Sequence, residues 1–168
     1  MTLERTIANS FWMDDRTWMG HANPWSVWTR FTVLPLLILA IWSRVWLGWL
    51  SLLPIAISLV WMWLNPRLFS KPQTTNNWIS KGVLGERVWL NRHSIPVPKH
   101  HQRVPNILII VSALGIPFLI LGLVNLEIYP TLMGVILVYL GKLWFIDRMV
   151  WLYEDMKDDN SLYRSWLY

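Results

Sequence analysis

The sequence ILIIVSALGIPFLILGLVNL, residues 107–126, is a run of twenty residues without a charged side chain. A second run, IYPTLMGVILVYLGKLWFI, follows at residues 128–146, and Lys142 is its only charged residue. An α-helix rises 1.5 Å per residue, so about twenty residues cross the roughly 30 Å hydrocarbon core of a bilayer. The two runs therefore predict two transmembrane helices joined by a tight turn.

Two earlier apolar runs predict a similar pair. Val45–Leu64 is long enough to cross, whereas the run that ends at Trp42 is too short unless it begins near Trp25. We therefore predict an all-α integral membrane protein with four transmembrane helices, arranged as two antiparallel hairpins, together with interfacial amphipathic helices. The single membrane domain, 1–168, divides into an interfacial N-terminal segment (2–20), a first hairpin (25–64), a cytoplasmic linker (65–104), a second hairpin (105–148) and a cytoplasmic tail (149–168).

The composition favours the same class of protein. Apolar residues make up 54% of the chain and charged residues only 15%, whereas a soluble domain has about 25% charged residues. Fourteen tryptophans suit a membrane protein, because Trp prefers the boundary between lipid and water. The chain has no cysteine, which excludes disulfides and thiolate metal sites.

Basic residues predict the orientation. Of fifteen lysines and arginines, only Arg44 lies in one of the two predicted hairpin turns, and the others lie in the termini, the linker and the last helix. By the positive-inside rule, both termini and the linker are cytoplasmic. The expected location is a prokaryotic inner or internal membrane. Because the basic residues flank apolar runs, the net charge of +5 indicates topology, and we expect no nucleic-acid partner.

Two further segments have amphipathic patterns. Leu3, Ile7 and Phe11 recur every four residues, which predicts a helix on the membrane surface over residues 2–13. Trp78–Leu90 is a weaker amphipathic stretch, interrupted by glycines.

Glycines in the second hairpin predict how its helices pack. Gly115 and Gly122 are seven residues apart, as are Gly134 and Gly141. A turn near residues 126–130 would place Gly122 opposite Gly134 and Gly115 opposite Gly141. Small residues allow membrane helices to approach closely.

The stretch HANPWSVWTR, residues 21–30, combines a helix start with interface anchors. Asn23-Pro24 predicts the first helical residue, Trp25 and Trp28 suit headgroup depth, and Arg30 can reach the phosphates. Insertion into the membrane leaves His21 and Asn23 unexplained, so a binding role for these two stays open.

Several polar residues are predicted at one depth, on the cytoplasmic ends of three helices. Asp147 and His21 are the candidate acid and base of a catalytic pair. The alternative is that these are ordinary charged helix ends. The candidate binding cluster consists of His21, Asn23, Asn65, Arg67, Arg148 and Asp155.

The four histidines do not predict a metal site. None lies inside a predicted transmembrane helix, as haem ligands would, and a di-iron enzyme needs more histidines. The adjacent pair His100-His101 is expected to point its side chains apart, so its spacing does not make a ligand pair. Zinc held by His21, His100 and a carboxylate is the open alternative, and we predict no cofactor.

Three functions are compatible with these features. The scarcity of ionisable residues at mid-bilayer depth argues against transport. We expect an interaction or accessory subunit without intrinsic redox chemistry, whose partners are the lipid bilayer and either other membrane subunits or further copies of itself. The alternatives are a membrane enzyme acting on a lipid headgroup or lipid-linked substrate, and a protein that binds an apolar ligand such as a pigment or quinone.

Four motifs resemble a known family. HANPWSVWTR, NPRLF (65–69), GERVWLNR (85–92) and DRMVWLYEDM (147–156) are similar to those of a family of small bacterial and archaeal integral membrane proteins of unknown function. The resemblance covers most of the chain. It implies a membrane location and assigns no activity and no catalytic residue.

Overall fold

The computed structural model describes residues 14–168, and every regular element in that part of the chain is helical. The predicted all-α class is confirmed there, whereas the amphipathic helix predicted over residues 2–13 lies outside the described residues. In chain order the elements are α1 (Asp15–His21), α2 (Pro24–Phe31), α3 (Val33–Trp42), α4 (Arg44–Leu47), a 3-10 turn (Gly48–Ser51), α5 (Leu52–Leu68), α6 (Trp78–Leu90), a second 3-10 turn (Lys99–His101), α7 (Arg103–Asn125), α8 (Ile128–Met156) and α9 (Ser161–Arg164).

Within residues 14–168, three helical stretches are long and apolar enough to cross a membrane, namely Pro24–Leu68, Lys99–Asn125 and Ile128–Met156. Most of their side chains face outward, including large apolar ones such as Leu39 and Ile136. An outward apolar surface of this extent would be unfavourable in water and is what hydrocarbon solvates. The chain therefore has the features of a membrane protein.

The first of these stretches folds back on itself. Helices α3 and α5 pack against each other, and Gly48 between them has a φ of 52°, which a residue without a Cβ adopts at little cost. At the two ends of the stretch, the Ser26 hydroxyl donates to Asn65 Oδ1 at 2.7 Å.

Helices α7 and α8 form the most extensive helix pair in the described chain. The connection is short because Leu126 adopts the left-handed conformation, with φ 59° and ψ 39°. The Glu127 N–H then donates to the Gly122 carbonyl at 2.8 Å, which is the bond that ends a helix in a Schellman motif.

All four glycines singled out in this pair lie where the two backbones approach. A Cβ on Gly122 would overlap Thr131, and one on Gly115 would lie 2.7 Å from the Gly134 carbonyl oxygen. The predicted register was wrong by three residues, because Gly122 faces Thr131 instead of residue 134. The observed pairing is centred on Leu126–Glu127, whereas the predicted pairing was centred on residue 128, and this difference shifts every contact.

The most buried apolar residues lie at the ends of α7 and α8 remote from Leu126. There α6, the end of α8 and the residues after it share one hydrophobic cluster, which we call the linker core. Residues from the segments that were predicted as a linker and a tail therefore pack together in this core. Its buried members are Leu84, Val88, Trp89, Val97, Leu108, Phe145, Met149, Leu152, Tyr153, Met156, Tyr163 and Trp166.

Helix α6 packs on α8 through two glycines. A Cβ on Gly85 would overlap the Met149 backbone, and one on Gly82 would overlap the Ile146 side chain. These glycines do not interrupt the helix, contrary to our reading of the sequence. They bring α6 close enough to α8 to complete the linker core.

Candidate functional site

The HANPWSVWTR stretch begins α2 as its sequence predicts. Pro24 is the first helical residue, and the Asn23 side-chain oxygen accepts from the Trp25 N–H at 3.0 Å, so Asn23 is an N-cap. The Asn23 amide also donates to the Ser70 carbonyl at 3.0 Å. These contacts explain Asn23 by structure.

Asn65 has a similar structural role. It is fully buried, accepts from Ser26, and donates through Nδ2 to Thr29 Oγ1 at 2.8 Å. Both ends of its amide are therefore satisfied, as a buried polar side chain requires, and α2 is held against the end of α5.

A cavity of about 310 Å³ opens between α2, α6 and α8. One part of its wall is polar, and the rest is apolar and continues along the membrane-spanning helices. The polar lining consists of His21, Arg30, Glu86, Tyr139 and Lys142, and the apolar lining of Val27, Phe31, Leu34, Val83, Val138 and Ile146.

Arg30 binds His21 in this cavity. Its guanidinium contacts the imidazole ring nitrogens and donates to the His21 carbonyl oxygen at 3.3 Å and to the Ser26 carbonyl oxygen at 3.2 Å. Since a guanidinium only donates, the imidazole must present an unprotonated nitrogen. His21 also packs edge-on against Trp18, with ring centroids 5.6 Å apart.

The surroundings of His21 favour its neutral form. Burial, followed by the positive charges of Arg30 and Lys142, holds the pKa of the His21 imidazole well below its ordinary value of 6.5. Burial disfavours the charged form, and nearby cations disfavour it further. His21 is therefore an uncharged hydrogen-bond acceptor at neutral pH.

Lys142 and Glu86 form an ion pair between two cavities. Lys142 Nζ lies 3.0 Å from Glu86 Oε1, and both residues line the 310 Å³ cavity and a second one of about 290 Å³. The second cavity is also lined by Trp89, whose buried Nε1 has no hydrogen-bond partner. A buried donor without a partner is uncommon.

The other predicted site residues lie in separate contacts. Asp147 accepts from Trp78 Nε1 at 3.2 Å and pairs with Arg148 at 3.1 Å. Arg67 lies over the Trp63 ring, 4.1 Å from its centroid. In the part of the chain that the structure describes, no contact joins His21 to Asp147, and the residues proposed as one binding cluster are distributed among several sites.

Asp155 binds two histidines. The Nε2 atoms of His100 and His101 lie 3.2 Å and 2.8 Å from Asp155 Oδ2, and the ring centroids are 4.2 Å apart. Our expectation that these adjacent side chains point apart was wrong. The 3-10 turn over Lys99–His101 and the nearby end of α8 bring both rings to one carboxylate.

Comparison with models of protein families shows which family the chain belongs to. The model of a family of unknown function, DUF6653, matches residues 2–165. The chain belongs to DUF6653. No curated protein and no solved structure is significantly similar to it. Membership of a family of unknown function, predicted from the motifs, is thus confirmed, and DUF6653 itself assigns no chemistry to the site.

The candidate site of this chain contains residues that sequence reasoning missed. Glu86 was not singled out, although it is the only acidic residue between Asp15 and Glu127. Lys142 was interpreted only as a helix-end lysine. An isolated acid in an otherwise basic linker and an isolated cation in an apolar helix are complementary, and that complementarity was the available signal.

Proposed function

We propose that this DUF6653 member is an integral membrane accessory protein that binds the anionic head of an amphiphilic ligand in the cavity between α2, α6 and α8. The observation that carries the proposal is the lining of that cavity. Two cations, one carboxylate, one tyrosine and a neutral imidazole form its polar part, and an apolar wall completes it. Such a site suits a molecule with one negative charge and a hydrocarbon tail.

The proposed topology has four crossings, as two hairpins. Pro24–Leu68 has 45 residues, so as one straight helix it would be about 68 Å long, more than twice the hydrocarbon thickness. The packing of α3 on α5 supports two crossings in this stretch. The positions of fourteen of the fifteen basic residues support cytoplasmic termini.

The charge balance supports an anionic head. Arg30 and Lys142 contribute two positive charges and Glu86 one negative charge, while His21 is neutral, so the polar lining carries a net charge of about +1 at pH 7. One added anion neutralises it. Charge-assisted hydrogen bonds to a guanidinium or ammonium group are the strong ones.

Binding has more support than acid–base catalysis. A general base needs a free nitrogen within reach of the substrate, whereas the His21 ring nitrogens contact Arg30. The other half of the predicted catalytic pair, Asp147, has Trp78 and Arg148 as its partners. An accessory role alongside other membrane subunits remains part of this proposal.

The test uses two substitutions that are expected to change the affinity for an anionic amphiphile in opposite directions. Purified protein in zwitterionic nanodiscs is titrated with oleate, which is anionic, and with monoolein, a neutral amphiphile. Lys142→Gln should weaken oleate binding roughly tenfold or more, whereas Glu86→Gln should strengthen it by removing a repulsive charge. Monoolein should respond to neither substitution.

Matched controls keep the test specific. Lys99→Gln removes an exposed positive charge outside the cavity lining and should leave oleate binding unchanged. If Lys142→Gln and Glu86→Gln shift oleate affinity in the same direction, or if oleate does not bind saturably, the proposal fails.

The second cavity favours a second candidate, an apolar ligand with a carbonyl acceptor. Trp89 lines that cavity and its buried Nε1 has no hydrogen-bond partner, and a quinone carbonyl is a suitable acceptor for such a donor. A soluble ubiquinone analogue should then bind, and Trp89→Phe should weaken it several-fold. Trp144→Phe, at an exposed tryptophan, is the control and should have no effect.

A further inference from the structure

We propose that His100, His101 and Asp155 form a binding site for one divalent transition-metal ion of the Zn²⁺ type. The site is separate from both cavities described above. The candidate donor atoms, one from each of the three side chains, all lie within 4.8 Å of one another. Two imidazoles and a carboxylate are a donor set that Zn²⁺ takes in proteins.

The spacing of the donor atoms fits one tetrahedral ion. With bonds of about 2.0–2.2 Å, two donors in a tetrahedral zinc site are roughly 3.3 Å apart. The His100 Nε2 atom is 3.2 Å and the His101 Nε2 atom 2.8 Å from Asp155 Oδ2. Both nitrogen–oxygen distances are therefore within about half an ångström of the value that one ion requires, and all three donor atoms lie within 4.8 Å of one another.

Burial divides the site into an anchored side and an open side. The His101 side chain is only 7% exposed, whereas His100 is 68% and Asp155 46% exposed. Three protein ligands with one solvent-facing side leave a fourth position for water, as in open zinc sites. An ion can enter from solvent without rearrangement of the linker core.

The neighbouring acid does not compete for the ion. Glu154 is engaged by two lysines, at 2.6 Å from Lys81 Nζ and in contact with Lys157. The carboxylate of Asp155 is thus the one aimed at the two histidines. A bound ion would join the 3-10 turn at Lys99–His101 to the end of α8 by three coordinate bonds.

The experiment measures metal binding by tag-free protein in mild detergent. After removal of metal with a chelator, Zn²⁺ is titrated by calorimetry, and the bound metal is counted by mass spectrometry. We expect one Zn²⁺ per chain. Co²⁺ at the same site should give the visible absorption bands of tetrahedral coordination, which nonspecific binding does not produce.

Three variants locate the metal. His100→Ala and Asp155→Asn, both at exposed positions, should each weaken Zn²⁺ binding by at least roughly tenfold while preserving the elution profile. His93→Ala changes an exposed linker histidine outside the cluster and should bind normally. Absence of stoichiometric Zn²⁺, or unchanged affinity in both cluster variants, overturns the proposal.

Discussion

Tyr139 of α8 donates its hydroxyl hydrogen to the backbone carbonyl of Phe31, at the end of α2. Pro35 lies four residues after Phe31, and a proline has no N–H with which to complete the helical bond to that carbonyl. Tyr139 supplies the missing donor, since a buried carbonyl needs a partner. The bond ties the first apolar stretch to α8 at the edge of the 310 Å³ cavity.

We expect Tyr139→Phe to lower the free energy of unfolding by about 1–2 kcal/mol, because the Phe31 carbonyl then has no donor. In a Pro35→Ala background, the new Ala N–H can bond to that carbonyl. Tyr139→Phe should then lower the free energy of unfolding by a smaller amount. Thermal unfolding of the single and double variants in detergent measures the difference. Equal losses in the two backgrounds would contradict this explanation.

Arg44, the one basic residue in the predicted turns, caps α7. Its guanidinium donates to the carbonyls of Leu123 and Val124 at 2.8 Å and 2.6 Å, in the helix turn whose carbonyls lack intrahelical partners. Arg44→Met should lower the unfolding free energy by about 1 kcal/mol. Arg103→Met, at the other end of α7, removes a cation from the positive end of the helix dipole. It should therefore not lower the unfolding free energy.

Single cysteines can test the topology without background, because the chain has none. Trp49→Cys and Glu127→Cys, in the two exposed turns, should react with a membrane-impermeant thiol reagent on intact cells oriented as proposed. Ser94→Cys, in the linker, should react only after permeabilisation. Labelling of Ser94→Cys alone would show that the linker lies outside, and failure at Trp49→Cys while Glu127→Cys still reacts would leave three crossings.

His21 predicts a pH dependence. Its folded-state pKa lies below the value of 6.5 expected for the unfolded chain, so the unfolded state binds more protons as the pH falls. Stability from the neutral imidazole is therefore present above about pH 6.5 and is lost at lower pH, where a protonated ring would face Arg30 and Lys142. When the pH is lowered from 7.5 to 5, the melting temperature should decrease less in His21→Gln than in the wild type. His93→Gln should show the same decrease as the wild type.

The two glycines of α6 should differ in their tolerance of a methyl group. At Gly85 the added Cβ meets the Met149 backbone, which cannot move aside, whereas at Gly82 the nearest atom belongs to the Ile146 side chain. We expect Gly85→Ala to destabilise by about 1–3 kcal/mol and Gly82→Ala by less. Denaturant unfolding compares the two, and the reverse order would argue against backbone contact at Gly85.

The sequence predicts local features of this protein well, because length and hydropathy determine which segments suit a bilayer. The helix start at Pro24 and the apolar lengths of α7 and α8 follow from such local rules. The linker core does not, since its residues come from distant segments whose pairing depends on tertiary packing. Glycines in Trp78–Leu90 weaken a helix pattern, although here they permit the close contact of α6 with α8.

The site was harder to predict for the same reason. Glu86 and Lys142 are 56 residues apart in sequence, and no periodic pattern links them. His100 and His101 meet at Asp155 because a 3-10 turn, rather than an extended loop, precedes α7. The register of the glycines depended on the conformation of one residue, Leu126, which composition does not reveal.

The linker core has a consequence for biogenesis. Helix α6 emerges from the ribosome before α7 and α8, yet its buried residues Leu84, Val88 and Trp89 pack against the last part of α8 and the segment beyond it. During synthesis these side chains lack those packing partners until α7 and α8 have also been made. A chain that ends before Met149 would therefore leave these apolar side chains without the partners that bury them.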